Sequence, residues 1–161
     1  MNQRMFEAAS NLSISELSED KKAFFKSVIG TLNHILVGDI IWLKRFFSGL
    51  PNNQVLAYVA SISNPKSLDC ILFSDLSELQ REREKIDSII CSWIHELSEN
   101  DLSKIVIYKN MAGKEFKKPY SSLISHLFLH QVHHRGQVSV LLSQFGLDFG
   151  ETDLIEIIPD N

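Results

Sequence analysis

The stretch EDKKAFFKSVIGTLNHILVGDIIWLKRFF, residues 19–47, decides the fold. Within it Phe24, Phe25, Val28, Ile29, Leu32, Ile35, Leu36, Ile40, Ile41 and Leu43 recur at intervals of three and four, the spacing that lines one face of a 3.6-residue helix. A helix from about Glu19 to Phe47 follows, ended by Gly49 and Pro51. Asp75 followed by Glu78 has the logic of a capping box, and it opens a second periodic run, Leu76, Leu79, Ile86, Ile89, Ile90, Trp93, Ile94 and Leu97. A third helix is expected over Tyr120 to Phe145, with Pro119 suited to its first turn and Gly146 placed to stop it.

The rest of the chain is read around these three helices. Residues 2–9 read as a short helix, and 11–18, rich in Ser and Asn, as a turn. Leu102 to Tyr108 is β-branched and aromatic, Asn110 to Gly113 is turn-like and Lys114 to Lys118 is extended, so a small β-hairpin is expected before the last helix. Residues 48–74 are left as a loop, because Asn52, Asn53, Asn64 and Pro65 interrupt the apolar run Val55 to Ile62. The tail residues Ile157, Ile158 and Pro159 are apolar enough to dock on the helices. The expected fold class is all-α, a four-helix bundle with one small hairpin, with residues 1–161 as a single domain.

Composition narrows the functional classes. The 161 residues carry 16 Lys and Arg against 20 Asp and Glu, a formal net charge of −4, which argues against nucleic-acid binding through neutralised phosphates. The 44% hydrophobic content supplies a core and rules out a disordered tail. No apolar run is long enough to span a membrane, and Arg4 and Glu7 interrupt the N-terminus where a signal peptide would be apolar, so a cytoplasmic protein is expected. Cys70 and Cys91 have no metal-ligand spacing and read as reduced thiols.

Of six histidines, His126, His130, His133 and His134 fall within nine residues. On a helix, residues four apart stand about 5–6 Å from one another, close enough for two imidazoles to share an ion. His130 pairs in this way with His134, or with His126; His126 and His134 are eight apart, a rise of about 12 Å, too far for one ion to hold all three. His133 is rotated off that line. The H-x-x-x-H spacing resembles that of zinc proteases, but Gln131 cannot act as their carboxylate base. A solvated histidine face fits the spacing equally well. His34 lies in the apolar stretch Leu32 to Leu36, where a neutral imidazole needs a partner; that partner is either an ordinary core hydrogen bond or a shared metal. Gly30, Thr31, Gly38 and Ile41 on the same helix leave space nearby.

Three strings, Gly30-Thr31-Leu32-Asn33-His34-Ile35-Leu36-Val37-Gly38-Asp39-Ile40-Ile41-Trp42-Leu43, Asn110-Met111-Ala112-Gly113-Lys114 and His130-Gln131-Val132-His133-His134-Arg135-Gly136-Gln137, together resemble the DinB (damage-inducible, YfiT-like) family. The likeness runs from about Met5 to the tail segment Thr152-Asp153-Leu154. It implies a four-helix bundle in which His34, His130 and His134 hold a divalent metal, zinc or nickel first, with iron or manganese as further choices. It also implies a homodimer, and a metal-dependent transferase joining a low-molecular-weight thiol to an electrophile, or a hydrolase.

The donor chemistry fits both reactions. Three neutral imidazoles leave an ion's charge uncompensated and at least one position open, so the ion would lower the pKa of a bound water toward about 7 or ionise a bound thiol. Asp39, Asn33, Gln137, His133 and His126 are the nearest residues to orient the imidazoles; Asp39, about 140° around the helix from His34, is better placed to serve a neighbouring helix. Arg135 is assigned to a structural carboxylate such as Glu96 or Asp153, and Trp42 and Trp93 to the core. The alternative function is a non-catalytic metal-binding stress-response or structural protein, in which His126 or His133 would close the coordination shell.

Overall fold

The computed structural model describes residues 1–161 except 50–52, 154, 156, 157, 160 and 161. Helix α1 spans Asn2–Ala9, α2 Ile14–Ser18 and α3 Val28–Gly49; a 3₁₀ turn over Gln54–Leu56 leads into α4, Ala57–Ser61. Then come α5, Leu76–Glu96, α6, Glu99–Leu102, the antiparallel strands β1, Ile105–Lys109, and β2, Glu115–Pro119, and finally α7, Tyr120–Ser143. The fold is the expected all-α four-helix bundle, formed by α1, α3, α5 and α7, with the hairpin laid against α3 and α7.

Helix α3 is the axis of the bundle, which explains its composition. Every residue from Val28 to Ile40 is buried, because α2, α4, α5, α7 and β1 surround it. A helix wrapped this way is apolar on all sides and carries polar groups only where a partner waits. Phe46 stacks on Trp93 at 5.3 Å and meets Tyr120 edge-on at 5.1 Å, and the Trp93 indole N–H donates to the Tyr120 hydroxyl at 3.1 Å. Trp93 is thus core, as expected. Asp75 caps α5 by accepting from the Glu78 N–H at 2.9 Å, and Gly146, at φ +71°, follows the end of α7.

Four expectations are corrected. First, α3 begins at Val28, not Glu19. The Asp20 carboxylate takes the Lys22 N–H at 2.8 Å, Lys22 and Lys26 adopt φ +60° and +66°, and the Lys21 N–H reaches the Lys26 carbonyl at 2.8 Å, so residues 20–27 fold as a tight double turn. Asp outcompetes helical bonding for nearby backbone donors. Phe24 is consequently 86% exposed while Phe25 turns inward. Gly30 makes this turn fit: a Cβ there would lie 2.2 Å from the Phe25 carbonyl oxygen, so the glycine accommodates the chain crossing above it, not an ion.

Second, residues 14–18 are helical, because Ser13 and Glu16 form a reciprocal capping box. Third, part of 48–74 is ordered into the 3₁₀ turn and α4, whose Leu56 and Val59 are fully buried. The expected stop at Pro51 lies outside the described residues. Fourth, Ile158 is 54% exposed and does not dock; Phe145, Leu147 and Phe149 pack on the core instead, and Arg4 holds the Glu151 carbonyl at 2.6 Å. Ile157 lies outside the described residues.

Candidate metal centre

A buried polar chain fixes how α7 faces α3. The Asp39 carboxylate on α3 is paired with Arg83 of α5 and accepts from the Gln131 side-chain amide of α7 at 2.7 Å. Arg83 in turn lies 2.8 Å from Asp87, which accepts from Asn2 of α1 at 2.9 Å. Asp39 and Arg83, 0% and 2% exposed, therefore join α3, α5 and α7, and the Asp87 carboxylate extends the chain to α1. Burial pushes the Asp39 carboxyl above its usual range, and the adjacent Arg83 charge opposes that rise. Asp39 thus serves neighbouring helices and touches no imidazole among the described residues.

Gln131 is anchored to this chain, and the residues flanking it in the sequence follow. His130 and His134 project from α7 toward His34 of α3. The His34 Nε2 lies 3.2 Å from the His130 Nε2 and 3.1 Å from the His134 Nε2, and the three residues form a group that could hold a metal ion. Nitrogens about 2.0–2.1 Å from a common ion at roughly 100° to one another would stand about 3.1–3.2 Å apart, so the spacing suits one ion.

The protons on the His34 and His134 rings can be assigned from their outer nitrogens, whereas the buried His130 Nδ1 meets no hydrogen-bond partner among the described residues. The His34 Nδ1 lies 2.7 Å from the Leu68 carbonyl oxygen, which only accepts, so Nδ1 carries the proton and Nε2 is bare. The His134 Nδ1 lies 2.8 Å from the Gln137 Oε1, and that amide's nitrogen lies 3.2 Å from His133 Nε2, an orientation that again protonates Nδ1 of His134. Two bare lone pairs therefore face each other across 3.1 Å. Such a contact is no hydrogen bond and repels unless a cation stands between the nitrogens.

Burial, first of all, lowers the pKa of all three imidazoles; His130 falls furthest, to about 3, with the neighbouring histidines adding to the shift. The rings are thus held neutral at pH 7, the form that ligates metal.

Other groups shape this cluster. The His130 ring lies against Gly38, where an added Cβ would sit 2.6 Å from the ring's Cε1. Gly38→Ala is therefore expected to push His130 out of line and weaken zinc affinity at least tenfold, with the thermal unfolding midpoint of the metal-free protein moved far less than by a core cavity. Competition with a chromophoric chelator measures the first, and calorimetry the second. Phe25 stacks on His34 at 3.7 Å and meets His134 edge-on at 5.5 Å, roofing the cluster. Asn33 donates to the Phe73 carbonyl and accepts from the Leu72 and Phe73 N–H groups, tying down the segment that presents the Leu68 carbonyl.

The remaining sequence candidates separate clearly. Gln137 bonds His134 directly, whereas His133 is exposed, meets the His134 ring edge-on at 4.8 Å and bonds Gln137. His126 stays outside the three-histidine group: its ring stands 6.0 Å from that of His130 and meets Trp42 edge-on at 4.9 Å. Arg135 forms no ion pair with Glu96 or Asp153 among the described residues; it approaches the Gln131 Oε1 at 3.4 Å. Trp42, expected in the core, lines a cavity of about 420 Å³ beside His34 and His130, together with Gly38, Arg45, Leu68 and Met111. Sequence reasoning missed Phe25, Leu68 and Arg45. Phe25 was folded into a helical period, Leu68 acts through its backbone, and Arg45 looks like any solvated helix residue.

No helix among the described residues is long and apolar enough to cross a membrane. The profile described as "DinB family" matches residues 1–158. Protein DinB of Bacillus subtilis (strain 168) is 22% identical over 153 residues, covering 94% of this chain and 84% of its own. A crystal structure of a DinB-like protein from Bacillus cereus ATCC 10987 superposes with a TM-score of 0.61 at 20% identity, over 94% of this chain and 90% of that one. A DinB-like protein from Bacillus subtilis gives 0.57 at 18% identity, over 95% and 89%. These two share the fold.

Proposed function

Starting from a chain that belongs to the DinB family, we propose that it is a divalent-metal-dependent enzyme with His34, His130 and His134 as ligands, acting as a transferase of low-molecular-weight thiols to electrophiles or as a hydrolase. The observation that carries the metal is the pair of bare Nε2 atoms 3.1 Å apart on His34 and His134, which a cation would relieve. The donor set, three neutral nitrogens, suits zinc, nickel, iron or copper, and affinity order alone does not select among them. When bound, such an ion supplies Lewis acidity, lowering the pKa of a water or thiol that reaches it.

What the chain's own residues contribute is orientation and access. The Leu68 carbonyl and the Gln137 amide hold His34 and His134 in the tautomer whose Nε2 is bare. Phe25 excludes water from one side, while the cavity floored by Gly38 and Trp42 opens the other to a small molecule. No fourth His, Cys, Asp or Glu joins the three-histidine group among the described residues. An open site favours catalysis over the purely structural reading, which needs a closed shell. We further propose residues 1–161 as one domain, and a homodimer as the assembled state.

Purified protein loaded with zinc or nickel is expected to turn over a thiol with an electrophile, or an ester or amide, and to lose that activity on chelation. Turnover persisting unchanged in His130→Ala would contradict the proposal.

A further inference from the structure

The cavity beside His34 and His130 continues into a larger cleft of about 720 Å³, and Ile41, Arg45, Asn110 and Met111 line both parts. His34, Gly38, Ile41 and Arg45 follow one another at intervals of four, three and four residues, so one face of α3 carries the floor from the histidines to the guanidinium.

Arg45 sits oddly for a surface residue. Its Cζ lies 4.5 Å from the Trp42 ring centroid and 5.0 Å from that of Tyr108, so two aromatic rings fix its position. Among the described residues it makes no ion pair, although its burial disfavours the charge. The neighbouring Lys44 ammonium is already committed to the Ile62 carbonyl. Lys109 and the cleft's one carboxylate among the described residues, Glu115, line only the larger part, away from the histidines.

On a chain of net charge −4, this cleft therefore gathers positive charge at two places: a guanidinium where its two parts meet and, on the reading above, a divalent ion held by neutral ligands at the histidines. A guanidinium clamped by rings presents a fixed fork of donors, which a planar carboxylate satisfies with two parallel hydrogen bonds. The Cα atoms of His34 and Arg45 are roughly 16 Å apart along the helix, and the Arg45 side chain leans back toward the histidines. The molecule that joins the two must span several bonds and pass the apolar Ile41, Trp42 and Met111, with His126 and Asn110 as the polar groups beside them.

We infer that Arg45 is the specificity-determining anchor of this site, binding the carboxylate of an elongated, otherwise apolar substrate whose reacting group lies at His34, His130 and His134. This rests on the metal-dependent reading for the reacting end only; the carboxylate end stands on Arg45, Trp42 and Tyr108.

Two calorimetric titrations separate the ends. In the metal-free protein, 4-phenylbutyrate is expected to bind at least about tenfold tighter than its uncharged amide, the contribution of a hydrogen bond to a charged group. In the zinc-loaded protein, 6-mercaptohexanoate is expected to show the same preference over 6-mercaptohexanamide. Arg45→Met should bring each acid to the affinity of its amide with zinc stoichiometry intact, and Arg45→Lys should restore part of the preference. Equal binding of acid and amide by the wild type, or a preference that survives Arg45→Met, would overturn the inference. Failure of zinc to bind, with the phenylbutyrate preference present, would remove the metal reading and leave the carboxylate site standing.

Discussion

Replacing Asp39 by alanine is expected to destabilise the protein by up to about 3–5 kcal/mol, because it leaves the Arg83 guanidinium, 2% exposed, with only the more exposed Asp87 carboxylate as its partner. For a chain of this size that corresponds to a fall in unfolding midpoint of roughly 10 °C or more. The loss is larger than deletion of a surface ion pair would give, since exposed pairs contribute about 0–1 kcal/mol. It should also spread: Asp39 accepts from Gln131, which flanks His130, so α7 loses the contact that sets its rotation against α3. Asp39→Ala is therefore expected to weaken metal binding even though Asp39 touches no histidine. Asp39→Leu combined with Arg83→Met should recover most of the stability, because a pair of apolar side chains can replace a buried ion pair at little net cost. Recovery of metal affinity should be incomplete, since Gln131 would still lack its acceptor. Urea unfolding and chelator competition on the wild type and the two variants separate the two effects; an Asp39→Ala protein within about 1 kcal/mol of wild type would show that the network is incidental.

The second large effect concerns the ligands. Removing any one of His34, His130 and His134 is expected to reduce zinc or nickel affinity by more than 100-fold, while Gln137→Ala, which frees the His134 ring without deleting its nitrogen, should cost about 10–100-fold. His126→Ala and His133→Ala should stay within a few-fold of wild type, because neither ring belongs to the group that converges. This graded order is more informative than any single loss. A uniform effect across all five histidines of residues 34 and 126–134 would indicate diffuse imidazole binding instead of a built site.

Much of this was legible in the chain itself, for identifiable reasons. The i, i+4 spacing of His130 and His134 fixes their shared direction on any helix, and an isolated imidazole inside Leu32 to Leu36 demands a partner; those two facts needed only helical geometry. The bundle was readable because α3, α5 and α7 each repeat apolar residues over more than five turns. Asp39 stands in the sequence both as a group to orient the imidazoles and, from its angle, as a partner of a neighbouring helix; in the fold it meets Arg83 and Gln131.

What stayed hidden depends on interactions that periodicity does not encode. Phe24 and Phe25 continue the helical pattern, yet the Asp20 carboxylate takes a backbone donor and redirects the chain, so the helix starts nine residues later than the apolar spacing suggests and Phe25 becomes a roof over His34. The Leu68 carbonyl orients His34 through the backbone, to which its side chain gives no clue. Gly38 and Gly30 look alike in the sequence, but one lies under the His130 ring and the other under the Phe25 carbonyl. Trp42 and Arg45 are ordinary helix residues until Tyr108 of the hairpin is folded over them.

On the reading proposed above, three neutral imidazoles meet to hold one ion. Elemental analysis of the protein purified without chelator, and again after dialysis against zinc and then buffer, tests it most directly. The expected result is close to one divalent transition-metal ion per chain in the wild type and almost none in His130→Ala. A wild type that retains no metal after loading, or a variant that retains as much as the wild type, would contradict it.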